Sequence, residues 1–145
     1  MQTLSDRDQI NNTIQKLFLY LGEKEWTKLQ DEVFTDLLEL DLSSFGNEPE
    51  PRSSKSFCDE LEYRFRELDS VSYTLGPVVI EQEQDEAEVL MTAETTQYKE
   101  SKKKENLRKY YGKYKLKLQR TDMVWRVSRF LFEIKFVEHE AVFYQ

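Results

Sequence analysis

Apolar residues in the first 70 positions recur at helical spacing, whereas those after position 70 recur at every second residue, so the chain changes its period once. Ile10, Ile14, Leu17, Phe18 and Leu21 fall on one face of a helix expected over 5–21. Ser5-x-x-Asp8 at its start is a variant capping box, with the serine hydroxyl able to accept an early helical N–H. Gly22 is expected to stop this helix, because glycine tolerates the left-handed turn that other residues resist. A second short helix, 23–33, carries the stripe Trp26, Leu29, Val33 and Phe34. Residues 37–42 alternate as a strand with Leu38, Leu40 and Leu42 inward and Asp41 outward. The stretch from Ser43 to Ser54, with Gly46, Pro49 and Pro51, reads as a loop, and a third helix over 54–68 buries Phe57, Cys58, Leu61, Phe65 and Leu68.

Beyond it the strands are long. Val71, Tyr73 and Leu75 alternate with polar residues, and Gly76-Pro77 predicts a break or bulge before Val78. A turn at Gln84-Asp85-Glu86 leads to a strand with Ala87, Val89, Met91 and Ala93 on one face and Glu88, Thr92, Glu94 and Thr96 on the other. A polar loop from Glu100 to Asn106 precedes a strand with Gly112, Tyr114, Leu116 and Leu118 inward and Lys113, Lys115 and Lys117 outward. Thr121-Asp122 turns the chain into a last strand from Trp125 to about Val137, where apolar parity shifts from Trp125 and Val127 to Phe130, Phe132, Ile134 and Phe136. A one-residue slip flips every side chain, so this shift predicts a bulge near Arg129. Three helices followed by a four-strand antiparallel meander make an α+β fold, with a strongly curved sheet wrapped around the helices. One domain over 1–145 is expected, its core at about 5–137 and a short C-terminal tail after it.

Composition narrows the function classes. With 145 residues, 39% hydrophobic and 13% aromatic, the chain is not disordered, and its 4 Gly and 3 Pro exclude collagen-like and linker classes. No apolar run approaches the ~20 residues of a membrane helix, and MQTLSDRDQ does not resemble a signal peptide. The single Cys58 fits a reducing compartment, so a cytoplasmic location is expected. One Cys and one His leave a zinc site without its ligand set, and no cofactor or metal is expected. Cys58 reads as a buried inert thiol and His139 as a solvated tail residue. The net charge is −7, and residues 1–70 carry twice as many acidic as basic side chains. The segment Lys99 to Arg120 is instead basic, with Tyr98, Tyr110, Tyr111 and Tyr114 interleaved. Such a segment suits phosphate contacts, but the overall negative charge opposes approach to nucleic acid. Its lysines read as a solvated strand face that discourages edge pairing, and neither nucleic acid nor membrane is an expected partner. The one-sided strands Glu88/Leu90/Thr92/Glu94 and Lys113/Lys115/Lys117 carry opposite charges with apolar interruptions, which predicts a homodimer through a sheet face.

The phrase Ile14…Tyr20-Leu21-Gly22-Glu23-Lys24-Glu25-Trp26…Leu29…Val33-Phe34 resembles the opening of the SnoaL-like group in the nuclear transport factor two-like superfamily. Asp85-x-Ala87-Glu88-Val89 and Gly112-x-Tyr114…Asp122-Met123-Val124-Trp125-Arg126-Val127 are similar to its later strands. This resemblance, over about 5–137, implies a cone-shaped α+β barrel, a pocket between helices and concave sheet, and frequent dimers. It also implies relatives that are isomerases, cyclases and dehydratases moving protons on apolar rings. Relatives of the dehydratase and cyclase kind place an Asp at the end of the first helix; Gly22 and Glu23 stand there in this chain. The strand-end Asp of some isomerases corresponds to Asp41, which alternation turns outward, and no strand between 71 and 137 contains a His. The reading therefore leans away from an enzyme. The pocket candidates are Tyr20, which resembles an oxyanion-binding tyrosine of some isomerases, together with Met91, Tyr114 and Arg129 at the expected bulge. Three readings follow: a protein binding a small apolar ligand in the cone, a protein-interaction module of the same fold, and a proton-transfer enzyme.

Overall fold

The computed structural model describes residues 5–100 and 106–140. Helix α1 spans Asp6–Glu23, α2 spans Trp26–Lys28 and widens into a five-residue turn over Leu29–Val33, and α3 spans Ser54–Phe65. Strands β1 (Phe34–Asp41), β2 (Glu50–Ser53), β3 (Ser70–Glu83), β4 (Glu86–Lys99), β5 (Asn106–Thr121) and β6 (Val124–Glu140) form one sheet in the order β2-β1-β6-β5-β4-β3. The fold is α+β, as the change of period predicts. The sheet is mixed rather than wholly antiparallel: the meander starts at the far edge with β3 and walks back, so β6 arrives beside β1 running in the same direction. Its edges, β2 and β3, do not pair with each other, so the curved sheet stays open and does not close into a barrel.

The start of α1 follows its sequence signal, with the Asp8 N–H donating to Ser5 Oγ at 3.1 Å. Its end does not. The helix runs through Gly22, and the left-handed residue that terminates it is Lys24, with φ 58°. The Lys24 ammonium donates to the Leu68 carbonyl at 2.6 Å, tying this corner to the chain beyond α3. Gly22 serves contact instead, since an added Cβ would lie 3.0 Å from the Val71 carbonyl oxygen and push α1 off β3. The stripe Ile10, Ile14, Leu17, Phe18 and Leu21 is buried on the concave face of the sheet, and Thr13 donates its hydroxyl proton to the Trp125 carbonyl at 3.0 Å.

Residues 43–54 are not a simple loop. They hold a tight turn at Ser43–Phe45 and the short strand β2, whose Pro51 pairs with Glu39 at the sheet edge, where a missing N–H is tolerated. The first strand begins at Phe34 and ends at Asp41, and α3 stops at Phe65, with Leu68 buried by a following turn. Asp122 and Met123, both at positive φ, form the hairpin turn, one residue later than Thr121-Asp122.

Three irregularities bend the long strands. The Gly76-Pro77 bulge is present, with Leu75 opposite Ala93 and Val78 opposite Met91. In β6, Val127 opposes Leu118 and Arg129 opposes Lys117, so Ser128 is the extra residue and the bulge lies beside Arg129 as parity predicts. A second bulge follows at Lys135, between Ile134 opposite Gly112 and Phe136 opposite Tyr111. It turns Phe136 outward, 53% exposed, against the parity read from the sequence, and brings Val137 inward. Strand β6 continues past Val137, so His139 lies within it, opposite Arg108, rather than in a tail. Most of the expected loop between Glu100 and Asn106 and the last five residues lie outside the described residues. Among the described residues no helix is long and apolar enough to cross a membrane.

Candidate functional site

At the end of the sheet remote from the Asp122-Met123 turn, α1, α3 and the concave strands enclose a cavity of about 470 Å³. One wall is apolar, made by Leu21, Leu61, Phe65 and Leu68 with Phe130 and Phe132 of β6. The other wall is polar and is built by register. Tyr73 of β3 opposes Thr95 of β4, which opposes Tyr110 of β5, so three hydroxyl-bearing side chains form a rank across adjacent strands. Gln97 opposes Arg108 in the next rank, and Tyr114 stands deeper on β5. All share the inward parity of Val89, Met91 and Ala93, which is why they face the cavity.

The rings of Tyr73 and Tyr114 flank Phe18 at 5.2 and 5.1 Å between centroids. Burial holds the Tyr73 phenol well above its ordinary range, and the neighbouring Tyr114 adds to the effect. Burial likewise pushes Tyr114 up to about 12, with the Thr95 hydroxyl partly offsetting it. Both phenols are therefore neutral donors at neutral pH. Arg108 donates through Nε and Nη2 to Gln97 Oε1, at 3.1 and 2.7 Å, and its guanidinium lies 4.7 Å from the Tyr110 ring. Among the described residues lining the cavity, Glu60 is the sole carboxylate. Burial raises its pKa, but Arg52 at 2.7 Å and Arg64 at 3.5 Å outweigh this and hold it below the usual range, so it stays ionised.

Phe45 forms part of the rim. Its ring lies 5.6 Å from Phe132 and 6.0 Å from Tyr110, and the Ile134 N–H donates to Ser44 Oγ at 3.2 Å. The turn is completed by Gly46 at φ 87°, a conformation that suits glycine.

Of the residues singled out from the sequence, Tyr114 lines the cavity, while Tyr20, Met91 and Arg129 do not. The Tyr20 hydroxyl donates to Glu32 Oε1 at 3.1 Å, and desolvation followed by that carboxylate raises its pKa. Met91 is packed core, opposite Tyr114 in the sheet. Arg129 faces outward with Lys117, because Ser128 absorbs the slip; its Nε lies 4.0 Å from Glu39. Asp41 is held below the usual carboxylate range by hydrogen bonding from Ser43, which disfavours it as a base. Cys58 is buried, and burial pushes its thiol up to about 12, so it is inert as its helical face predicts. Tyr73, Thr95, Gln97 and Arg108 are not among the sequence candidates, although one signal is present: the inward parity of Ala87 to Ala93 continues into the polar Thr95 and Gln97.

Chemically, the polar wall offers hydroxyl and amide groups to oxygen atoms of a small molecule. Among the described residues, no three potential metal-ligating side chains converge.

A family model of the SnoaL-like domain matches residues 2–130. Comparison with curated proteins gives no match. Among solved structures, the Kfla4162 protein from Kribbella flavida superposes with a TM-score of 0.86 at 20% identity, over 92% of this chain and 93% of that one. A candidate scytalone dehydratase from Novosphingobium aromaticivorans DSM 12444 gives 0.79 at 14% identity, over 94% and 89%. Hexachlorocyclohexane dehydrochlorinase LinA-type3 from Novosphingobium barchaimii LL02 gives 0.73 at 11% identity, over 93% and 90%. At such identities the likeness to these structures concerns the fold alone. The family match, spanning most of the chain, agrees with three helices seated in an open curved sheet: the protein belongs to the SnoaL-like domain family, of the nuclear transport factor two-like fold.

Proposed function

We propose that the cavity binds a small, largely apolar ring compound carrying one or two oxygen atoms, without strong catalysis. The observation that carries this reading is the asymmetric lining: an apolar wall facing the neutral donors Tyr73, Thr95, Gln97 and Tyr114. Burial of the ring provides the driving force, at roughly 25 cal/mol per Å² of apolar surface removed from water, and the donors fix orientation. Scytalone dehydratase and hexachlorocyclohexane dehydrochlorinase are named for small molecules, which is in keeping with this use of the fold. Binding is favoured over turnover because proton abstraction needs a base poised near neutral pH, and Glu60 is held ionised between two arginines.

The test is fluorescence titration with 2-naphthol, a neutral hydroxyl-bearing ring, against naphthalene, which lacks the oxygen. Saturable binding of 2-naphthol, weaker binding of naphthalene, and loss of both in the cavity-filling variant Leu61→Trp are expected. Equal binding of the two probes, or unchanged binding in the filled variant, would overturn the proposal. Turnover of a ring ketone that disappears in Tyr73→Phe or Tyr114→Phe would establish the proton-transfer reading in its place.

A further inference from the structure

The cavity does not share the charge of the chain around it. The protein carries 28 acidic and 21 basic side chains, yet among the described residues lining the cavity Glu60 stands with two guanidinium groups, Arg64 and Arg108. Glu60 is already neutralised from outside the chamber: Arg52, which lines a separate small recess, donates to its Oε2 at 2.7 Å, whereas Arg64 reaches the other oxygen at only 3.5 Å. The lining therefore holds an excess of positive charge in a chain of net charge −7.

Arg108 is the better placed of the two cations, half-buried on β5 where Arg64 is exposed on α3. Its Nε and Nη2 both donate to Gln97 Oε1, at 3.1 and 2.7 Å, and its guanidinium lies 4.7 Å from the Tyr110 ring. Gln97 is itself buried, 7% exposed, and stands opposite Arg108 in the ladder. Arg52 and Arg120 are held differently. Glu60 holds Arg52, and Asp6 and Asp85 hold Arg120 at 2.7 and 2.6 Å, so in both places a carboxylate fixes the guanidinium and cancels its charge. Gln97 instead fixes Arg108 through a neutral oxygen, which orients the charge without cancelling it. A guanidinium presents five N–H donors in a rigid plane, and Gln97 takes two of them.

We propose that the oxygen-bearing group of the ligand is a carboxylate, with Arg108 as its counter-ion and Gln97 as the residue that positions Arg108. This rests on the reading of the cavity as a site for oxygen-bearing rings and narrows that class to ring carboxylic acids. Tyr110 and Arg108 are two residues apart on β5, about 7 Å along an extended strand. The ring thus lies against Phe130 and Phe132 while the carboxylate sits beside the half-buried Arg108, where the cost of removing its water is smallest. The planar guanidinium matches a carboxylate with two parallel hydrogen bonds. The excess of one charge suits a carboxylate and falls short of a phosphate dianion.

Fluorescence titration of the full chain at neutral pH tests this with 2-naphthoate and 2-naphthamide, a charged and a neutral probe of nearly the same shape. Naphthoate is expected to bind at least about tenfold tighter, the range for hydrogen bonds to a charged group, and tighter than 2-naphthyl phosphate. Arg108→Gln should remove the preference for naphthoate over naphthamide, while 2-naphthol, which does not use the charge, stays within about twofold of wild type. Gln97→Glu keeps a partner for Arg108 but cancels its charge, and should abolish the same preference. Should circular dichroism show that Arg108→Gln does not fold, the wild-type comparison and Gln97→Glu decide the matter. Equal affinity for naphthoate and naphthamide, tighter binding of the phosphate, or a preference that survives either substitution would overturn the proposal. In each of those cases saturable binding of 2-naphthol leaves the broader reading of the cavity standing, whereas failure of every probe, 2-naphthol included, would remove both.

Discussion

Phe45 stacks on Phe132 with ring centroids 5.6 Å and planes 26° apart and meets Tyr110 edge-on, so the short turn after β1 lies against the cavity rim chiefly through one aromatic side chain. Because Phe45 remains 44% exposed, its contribution to stability is small, about 1 kcal/mol for an aromatic pair of this kind. Phe45→Ala is expected to leave thermal unfolding nearly unchanged while 2-naphthol enters and leaves faster. Stopped-flow fluorescence reads both rates; unchanged exchange would mean that the ring does not restrict entry.

Removing either buried phenol hydroxyl is expected to weaken 2-naphthol binding without loosening the fold. The rings of Tyr73 and Tyr114 pack on Phe18, and among the described residues the Tyr114 hydroxyl meets only the side chain of Thr95, itself part of the polar wall. Tyr73→Phe and Tyr114→Phe should each cost about 2–10-fold in affinity, the range for one neutral hydrogen bond. Titration of both variants beside thermal melts separates the two effects, and a lowered melting temperature with unchanged affinity would contradict the assignment.

Alkaline pH is expected to unfold the protein early. Cys58 is raised from its ordinary 9.0 to about 12, and Tyr114 from 10.0 to about 12. Each folded pKa lies above the unfolded one, so the unfolded chain loses protons first. Their stabilisation is complete below the unfolded values and is lost as pH climbs toward 12. Urea midpoints should therefore be level up to about pH 9 and fall beyond it. Cys58→Ala is expected to remove the part of the fall that starts near 9. A midpoint that stays flat through this window would count against both shifts.

Two glycines should respond differently to alanine. At Gly112 an added Cβ would strike the Phe132 ring and lie 2.6 Å from the Glu133 carbonyl oxygen, so Gly112→Ala is expected to destabilise by about 1–3 kcal/mol. At Gly22 the tight contact with Val71 is opposed by a gain of about 1 kcal/mol in helix propensity, so Gly22→Ala should be close to neutral. Denaturant titration of the two variants checks the order.

Much of the architecture was legible because a half-buried element writes its burial into its period. The α1 stripe and the inward faces of β4 and β5 follow the sequence pattern residue for residue. Non-local features left weaker marks. The parallel pairing of β1 with β6 depends on where the meander ends, which no local pattern records. Strand β2 hides behind Pro51, a residue tolerated only because the strand is an edge. The bulge at Lys135 escaped because Ile134 and Phe136 are both apolar and simulate unbroken alternation. The polar wall was half visible: Tyr114 sits on an apolar face, but Thr95 and Gln97 read as the fading of a core strand rather than as the lining of a cavity. Arg129 lies beside a bulge as the change of parity indicates, yet the bulge turns it outward, because parity alone does not say which neighbour is the inserted one.

The two bulges of β6 also define where this protein tolerates a change of length. Ser128 and Lys135 have no partner of their own in the β5 ladder, so deleting either would leave the cross-strand pairs on both sides intact and simply straighten the strand. Elsewhere in β6 the same deletion would reverse the faces of all that follows and place charged side chains such as Glu133 among the aromatics. Single-residue gain or loss at these two positions is thus a way for descendants of this chain to flatten or deepen the wall behind Phe130 and Phe132, resizing the chamber while keeping every residue that lines it.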